Sequence, residues 1–390
     1  MRVLISSTTG SGHLNPLLPY AEALAEKGHE VAVAVPPAAA TRLAKAGIAH
    51  LPVGEPSDAE AEALRRSRDA ATGTEAVRAA GAAFFAGLAR AALPDLLRHA
   101  EDWRPDVVLR ESAELGGLVA AAASGISCAR VGVHGGHFEM DFFQHLVTPV
   151  DKLRMGIGLG ADQGAGLRSE PVFSAFPAFM DDGVDWLGTR EPFRVRPSAG
   201  PSPALDGPRP AWAPAEGETF VYVTLGTVSG RSEKSRSAYR AVLEALSTLP
   251  VRALLTTGPI MPHEELGTIP PNVTVEAFVP QAEVLPYADA VICHGGSGTL
   301  LGALAMGLPQ VVVPLFADQP HNAASIARAG AGISVTERTA PVLRAAIAQV
   351  LQDDSIRQTA RRIAGDIAGM PTMDAVVDRL LALARRSSVA

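Results

Sequence analysis

Short runs of β-branched and apolar residues alternate with amphipathic stretches through the first half of the chain, and after a proline-crowded interval the alternation begins again. Val3 to Ser6 reads as a strand, Leu17 to Lys27 as a helix, Val31 to Val35 as a strand and Thr41 to Ala46 as a helix. Ala- and Arg-rich helical texture from Ser57 to His99 leads to a strand at Asp106 to Leu109, a helix at Leu115 to Ser124 and a strand at Ala129 to Val133. Strands separated by helix-length segments are joined by crossovers, the connection that a parallel sheet requires.

Seven prolines between Pro192 and Pro214 mark the interval from Glu191 to Glu218 as a linker. Beyond it come strands at Phe220 to Leu225, Arg252 to Thr256, Val273 to Ala277, Ala290 to Cys293 and Gln310 to Pro314, with a helix near Glu233 to Leu246. A chain of 390 residues has room for two cores. The expected fold is α/β: two Rossmann-like domains facing each other across a cleft, residues 1–200 and 218–372, joined by a linker at 201–217. A C-terminal helix at 373–390 has periodicity (Met373 to Arg386) that does not say which half it joins. Ligands are expected at the carboxyl ends of both sheets.

The net charge of −7 offers no basic field for nucleic acid, so a small or apolar substrate is expected. Cys128 and Cys293 each lie in an apolar run, which supports neither a disulfide framework nor a thiolate metal site and suits a reducing cytoplasm. The apolar start, Met1 to Ile5, is too short for a signal peptide. The stretch from Gly116 to Val133 is broken by Ser124, Gly125, Ser127 and Arg130, so no membrane span is expected. Oligomeric state is not legible.

The most informative stretch is "AVICHGGSGTLLGALAMGLP". A buried strand runs into His294, Gly295, Gly296, Ser297, Gly298 and Thr299, with a helix expected from about Leu300. Glycines let backbone approach a ligand, and free amides at a helix start favour phosphate. Thr299 can donate its hydroxyl and His294 a ring N–H. No Lys follows the glycines, which excludes a Walker-type loop. The alternative is a turn that uses glycine only for tight packing. Upstream, in Phe278-Val279-Pro280-Gln281, Phe278 can stack on a base while Val279 offers main-chain groups to its edge; downstream, Asp318 and Gln319 can bind sugar hydroxyls.

From Phe278 to Asn322 this arrangement resembles the donor-binding signature of family 1 glycosyltransferases, nucleotide-sugar-dependent enzymes of the two-Rossmann GT-B fold. The likeness extends to the early Gly-His loop, the Pro-rich linker and Thr224-Leu225-Gly226-Thr227. It implies that Gly226 and Thr227 lie near the donor diphosphate, that His294 and Thr299 bind its oxygens, and that Asp318 and Gln319 hold the transferred sugar. Many UDP-glucose-using members carry a ribose-binding glutamate where this chain has Gly302. A deoxyribose donor, dTDP-sugar in preference to UDP-sugar, is therefore expected, as in the similar bacterial members that glycosylate antibiotics.

The opening loop, "STTGSGHLNPLLPYAEAL", is a poor dinucleotide fingerprint. Asn15 stands in the third glycine's place, and the second strand ends in Pro36 and Pro37 without a ribose-binding acid. Asn15 reads as an N-cap and Pro16 as the first helical residue, which puts His13 just before a helix start, where the dipole disfavours imidazolium. Gly10 and Gly12 would shape a bend open to the acceptor. His13 is then a candidate general base and Glu111, after "DVVLR", its orienting carboxylate; the bland alternative is a loop histidine capping backbone groups. The "GHLNP" match supports the catalytic reading, although the family usually places Asp where this chain has the longer Glu111. Asp106 belongs at the opposite strand end. His134 and His137 follow another strand end and are assigned, with Phe138 and Phe142, to the acceptor side, where either histidine could replace His13 as base. Phe143, Phe173, Phe176 and Phe179 could also line an acceptor pocket or be ordinary core. No histidine set has metal-ligand spacing, so no metal and no cofactor beyond the sugar nucleotide is expected.

The reading that results is an inverting transfer of a sugar or deoxysugar to a hydroxyl of a small apolar natural-product aglycone. The alternatives are a nucleotide-sugar epimerase of the same fold and an inactive auxiliary protein that binds a sugar nucleotide.

Overall fold

The computed structural model describes residues 1–197, 209–226 and 232–387. They form two compact units: the first comprises residues 1–175, 183–195 and the C-terminal segment from Pro371, and the second residues 176–182 and 196–370.

The first unit is built on seven parallel strands: β1 (Arg2–Ser6), β2 (Glu30–Val35), β3 (Ala49–Pro52), β4 (Val107–Glu111), β5 (Ser127–Gly132), β6 (Val172–Ser174) and β7 (Phe193–Arg194). Their order is β3-β2-β1-β4-β5-β6-β7. The central strands are apolar on both faces because helices cover both, as parallel sheets demand: Val3, Ile5, Val107 and Leu109 face one core and Leu4 and Val108 the other. The C-terminal helix, Met373–Ser387, belongs to the first of these cores through Val376, Val377 and Leu380.

The longest apolar helix is Thr74–Trp103, long and apolar enough by length and composition to cross a bilayer. One side of it, including Ala89, Leu93 and Leu96, packs into the second core of the same unit. The Gly116–Val133 stretch divides into a helix, Gly116–Ala123, and strand β5.

The second unit repeats the plan with β8 (Phe220–Thr224), β9 (Arg252–Thr256), β10 (Val273–Glu276), β11 (Ala290–Cys293), β12 (Gln310–Val312) and β13 (Gly332–Ser334). All pairings are parallel and the order is β10-β9-β8-β11-β12-β13. Tyr239, Val242, Leu243 and Leu246 of helix Glu233–Leu246 close one face. Short strands β3, β6, β7 and β13, the longer helices Gly136–Gly156, Gln319–Ala329, Ala340–Gln352 and Asp354–Ala368, and the short helices Ala165–Ser169 and Gln281–Val284 escape the sequence reading.

Candidate functional sites in the two units

In the first sheet the chain proceeds outward from β1 to β2 and β3, then returns to β4 on β1's other side. Connections leave β1 and β4 in opposite directions, so a crevice opens between their carboxyl ends. His13 follows β1 and Glu111 ends β4, which places both at this crevice; Asp106, at the other end of β4, accepts a hydrogen bond from the Arg2 amide at 2.6 Å.

The helix after β1 starts earlier than expected. Gly10, at φ 119°, turns the chain, and its carbonyl accepts from the His13 and Leu14 amides at 3.2 and 3.0 Å. Residues Ser11–Leu14, Asn15–Leu17 and Leu18–Glu26 then run on as consecutive helical segments. Asn15, at φ −58° and ψ −40°, is helical and is not an N-cap, its amide donating to the Ser11 carbonyl, and His13 lies in the first turn rather than before it. Gly10 alone makes the bend, because only glycine adopts that φ freely; Gly12 is exposed, with open space around the position of a Cβ.

Glu111 is the last strand residue, fully buried, with Oε1 3.2 Å from His13 Nδ1. Thr8 Oγ1 donates to Oε1 at 2.9 Å and the Ala113 amide to Oε2 at 2.6 Å. Burial opposes ionisation of this carboxyl, but His13, the Ala113 amide and the Thr8 hydroxyl together bring it down to about 2. The Nδ1–Oε1 contact is close, though its direction is poor for a linear N–H···O bond. Thr8 escapes the sequence reading although it stands in the same loop; nothing in its spacing marks it.

Around His13 the rings form a closed circuit of neighbours. Phe85 lies 5.5 Å and His134 6.0 Å from the His13 ring centre; Phe138 is 4.9 Å from His134 and stacks on Phe142 at 5.8 Å, and Phe142 meets Phe85 at 6.1 Å. His134 is backed by Glu139, Nδ1 to Oε1 3.8 Å, and Glu139 accepts from Arg130 at 3.0 Å and from the Ser112 hydroxyl. His137 lies in the first turn of Gly136–Gly156, partly buried. The other aromatics are elsewhere: Phe143 and Phe173 are buried core, Phe173 against Tyr20, while Phe176 and Phe179 belong to the second unit.

In the second unit the equivalent crevice lies between β8 and β11. Gly226 follows β8 at φ 93°, and a Cβ on it would stand 2.8 Å from His294 Nε2; a Cβ on Gly296 would stand 2.4 Å from the same atom. Both glycines therefore make room for one imidazole. Burial pushes His294 down to about 4, against the Asp318 charge and a Thr224 backbone bond, so the ring is neutral at physiological pH. Gly295, at φ 85°, lets the loop close on Val312 and on the Gln319 carbonyl, 2.8 and 3.3 Å from where a Cβ would be.

Helix Ser297–Ala305 begins three residues before the expected Leu300, with Gly296 as its N-cap. The amides of Ser297, Gly298 and Thr299 fall in its first turn, where no carbonyl within the helix can accept from them. An anion is the natural partner. Gln281 Nε2 donates to the Gly298 carbonyl at 3.2 Å and lies over Gly302, where a Cβ would be 2.1 Å away. Phe278 is 64% exposed and Val279 9%. Asp318 and Gln319 are buried; Gln319 Oε1 accepts from the Leu315 and Phe316 amides at 2.8 and 3.0 Å, which fixes the amide's orientation. Ala317 holds a left-handed φ of 54° between Phe316 and Asp318. Such a conformation costs a non-glycine residue about 1 kcal/mol or more and clusters at ligand sites. Thr227 lies outside the described residues. Among the described residues, no three His, Cys, Asp or Glu side chains are grouped to hold a metal ion.

Both halves match known sequences. Residues 22–154 fit the family described as Erythromycin biosynthesis protein CIII-like, N-terminal domain, and residues 241–383 its C-terminal domain. The elloramycin glycosyltransferase ElmGT of Streptomyces olivaceus is 31% identical, with 97% of each chain covered. The tylactone mycaminosyltransferase of Streptomyces fradiae is 30% identical over 99% of this chain and 93% of that one. The solved structure of the glycosyltransferase SsfS6 from Streptomyces sp. SF2575, complexed with thymidine diphosphate, superposes with a TM-score of 0.77 at 27% identity, covering 98% of this chain and 99% of that one. With its two parallel-sheet units and matches over nearly its whole length, the chain belongs to the EryCIII-like family 1 glycosyltransferases of natural-product biosynthesis, enzymes of the GT-B fold.

Proposed function

We propose that the protein is an inverting, metal-independent glycosyltransferase that moves a sugar or deoxysugar from dTDP, in preference to UDP, to a hydroxyl of a small apolar aglycone in a cytoplasmic setting. The observation that carries this reading is the His13–Glu111 pair at the crevice of the first sheet. Glu111, ionised and buried, orients the imidazole and stabilises the cation that forms when His13 Nε2 takes the acceptor's proton. The aromatic circuit of Phe85, Phe138 and Phe142 suits an apolar acceptor beside that base, with His134 and His137 at its edge.

In the second unit, Phe278 stacks on the base and Val279 and Gln281 meet the nucleoside. The diphosphate rests on Gly226, Thr227, Gly295, Gly296 and the amides of Ser297, Gly298 and Thr299. A neutral His294 donates one N–H to the leaving diphosphate, while the helix start accommodates its growing charge without a metal. Asp318 and Gln319 hold the sugar. The acceptor oxygen attacks the anomeric carbon as the carbon–oxygen bond to the diphosphate breaks on the opposite face, and the acceptor's proton ends on His13. Thymidine diphosphate in the SsfS6 structure and Gly302 in this chain both favour the deoxyribose donor.

The test is His13→Ala, assayed with dTDP- and UDP-sugars against an aglycone panel, following glycoside mass and nucleoside diphosphate release. Sugar-nucleotide binding should persist while transfer falls by about 10²- to 10⁴-fold. Full transfer by that variant would refute the assignment of the base.

A further inference from the structure

Asn322 takes no part in the site as read from the sequence, yet it holds two parts of that site together. It is 2% exposed, in the first turns of helix Gln319–Ala329, and its Nδ2 donates to the Gly295 carbonyl at 2.9 Å and to Asp318 Oδ2 at 2.8 Å. Gly295 belongs to the loop that ends β11, and Asp318 to the turn beyond β12. One amide nitrogen has two hydrogens, and these two contacts use both. The same two segments also touch where Gly295, lacking a side chain, closes on the Gln319 carbonyl.

We infer that Asn322 is a positioning residue that couples the phosphate loop to the sugar-holding turn, so that the diphosphate and the hexose of one donor are gripped in fixed register. The inference rests on the donor-site reading above. Asp318 has its Oδ2 committed to Asn322, which turns the carboxylate and sets where its other oxygen points. Gly295, held by its carbonyl, keeps the loop leading into the Ser297 helix start at a constant distance from Asp318. Without the amide, a buried carboxylate and a buried carbonyl each lose a donor, and the two segments are free to separate.

Two variants test this by calorimetry and by steady-state kinetics with dTDP alone and with a dTDP-sugar. Asn322→Ala should leave dTDP affinity within about threefold while weakening the dTDP-sugar and raising its KM by roughly 10- to 100-fold, the usual cost of unpairing a buried group. Asn322→Asp keeps the shape but sets a second carboxylate against Asp318. Its defect should be deepest near pH 8 and should recover by about tenfold towards pH 6, where the pair can share a proton and regain one donor. A recovery on acidification greater than that of the wild type over the same range is not produced by a packing defect, and it decides the matter if the alanine variant does not fold. Equal losses for dTDP and dTDP-sugar with a pH-independent defect, or wild-type donor kinetics in both variants, would overturn the inference. A wild-type protein that binds neither dTDP nor UDP would instead overturn the donor-site reading, and the coupling role with it.

Discussion

Replacing Glu111 by Gln isolates what the buried carboxylate's charge does, because the side chain keeps its size. The magnitude follows from its surroundings. An ordinary glutamate near 4.5 is held at about 2 here, a gap worth roughly 3 kcal/mol at about 1.4 kcal/mol per tenfold. The group is fully buried, so solvent screening takes little from that figure. Because the folded value is depressed, the contribution is complete above about 4.5, is down to about 2 kcal/mol at pH 3.5, and is gone near pH 2. Glu111→Gln should therefore lower the first unit's melting temperature by up to about 6–12 °C, the full effect requiring a protonated His13 as the carboxylate's counter-charge. The difference from wild type should narrow steadily as pH falls below 4.5.

The catalytic consequence is separate. A glutamine amide beside Nδ1 can donate to it, which favours the tautomer with its proton on Nε2, the wrong one for a general base. Turnover should fall by about 10³-fold, while the KM for the sugar nucleotide, whose site lies in the other unit, stays within about twofold. The assays are calorimetric melting from pH 7 to pH 3 and steady-state transfer below the melting range. A variant that melts with the wild type throughout pH 7 to pH 3 and turns over within threefold of it would refute the argument for an ionised, orienting Glu111.

Two further outcomes follow from the second unit. Gly302→Glu must displace Gln281, whose Nε2 would lie 2.1 Å from the new Cβ; the ratio of UDP-sugar to dTDP-sugar kcat/KM should rise by about tenfold, read by competition between the two donors, and an unchanged ratio would remove Gly302 as a marker of donor choice. His294 is held neutral with its value pushed down to about 4. The second unit should thus lose stability as pH falls from about 6.5 towards 4, where only the unfolded histidine takes up a proton, and His294→Asn should remove that part of the pH dependence in calorimetric melting.

The strand order explains why much of this was legible from residues alone. Once β1, β4, β8 and β11 are recognised as apolar runs with helical segments between them, the doubly wound order puts the loops after β1 and β4, and after β8 and β11, side by side. His13 and Glu111, or Gly226 and His294, can therefore be paired from sequence although roughly 100 and 70 residues separate them. Local detail obeys other rules. Asn15 looks like a helix start by side-chain preference, but Gly10 at φ 119° begins that helix earlier, because a backbone conformation open to glycine overrides a favourable cap downstream; Gly296, in ordinary extended backbone, caps its helix three residues before Leu300, where a side chain would strike His294. Aromatic residues show the same limit: periodicity cannot tell that Phe142 meets His13's neighbour Phe85 while Phe143, one residue on in the same core, does not join the ring circuit. Least legible are the groups that act on other site residues. Thr8 shapes the charge of Glu111 and Asn322 spans two loops, while Gln281, already marked by the donor motif, also fills the space over Gly302. Thr8 and Asn322 carry ordinary polar side chains whose roles exist only when the fold brings a second segment within 2.9 Å. A motif thus marks the groups positioned to meet the substrate, and the structure is needed to find those that hold them in place.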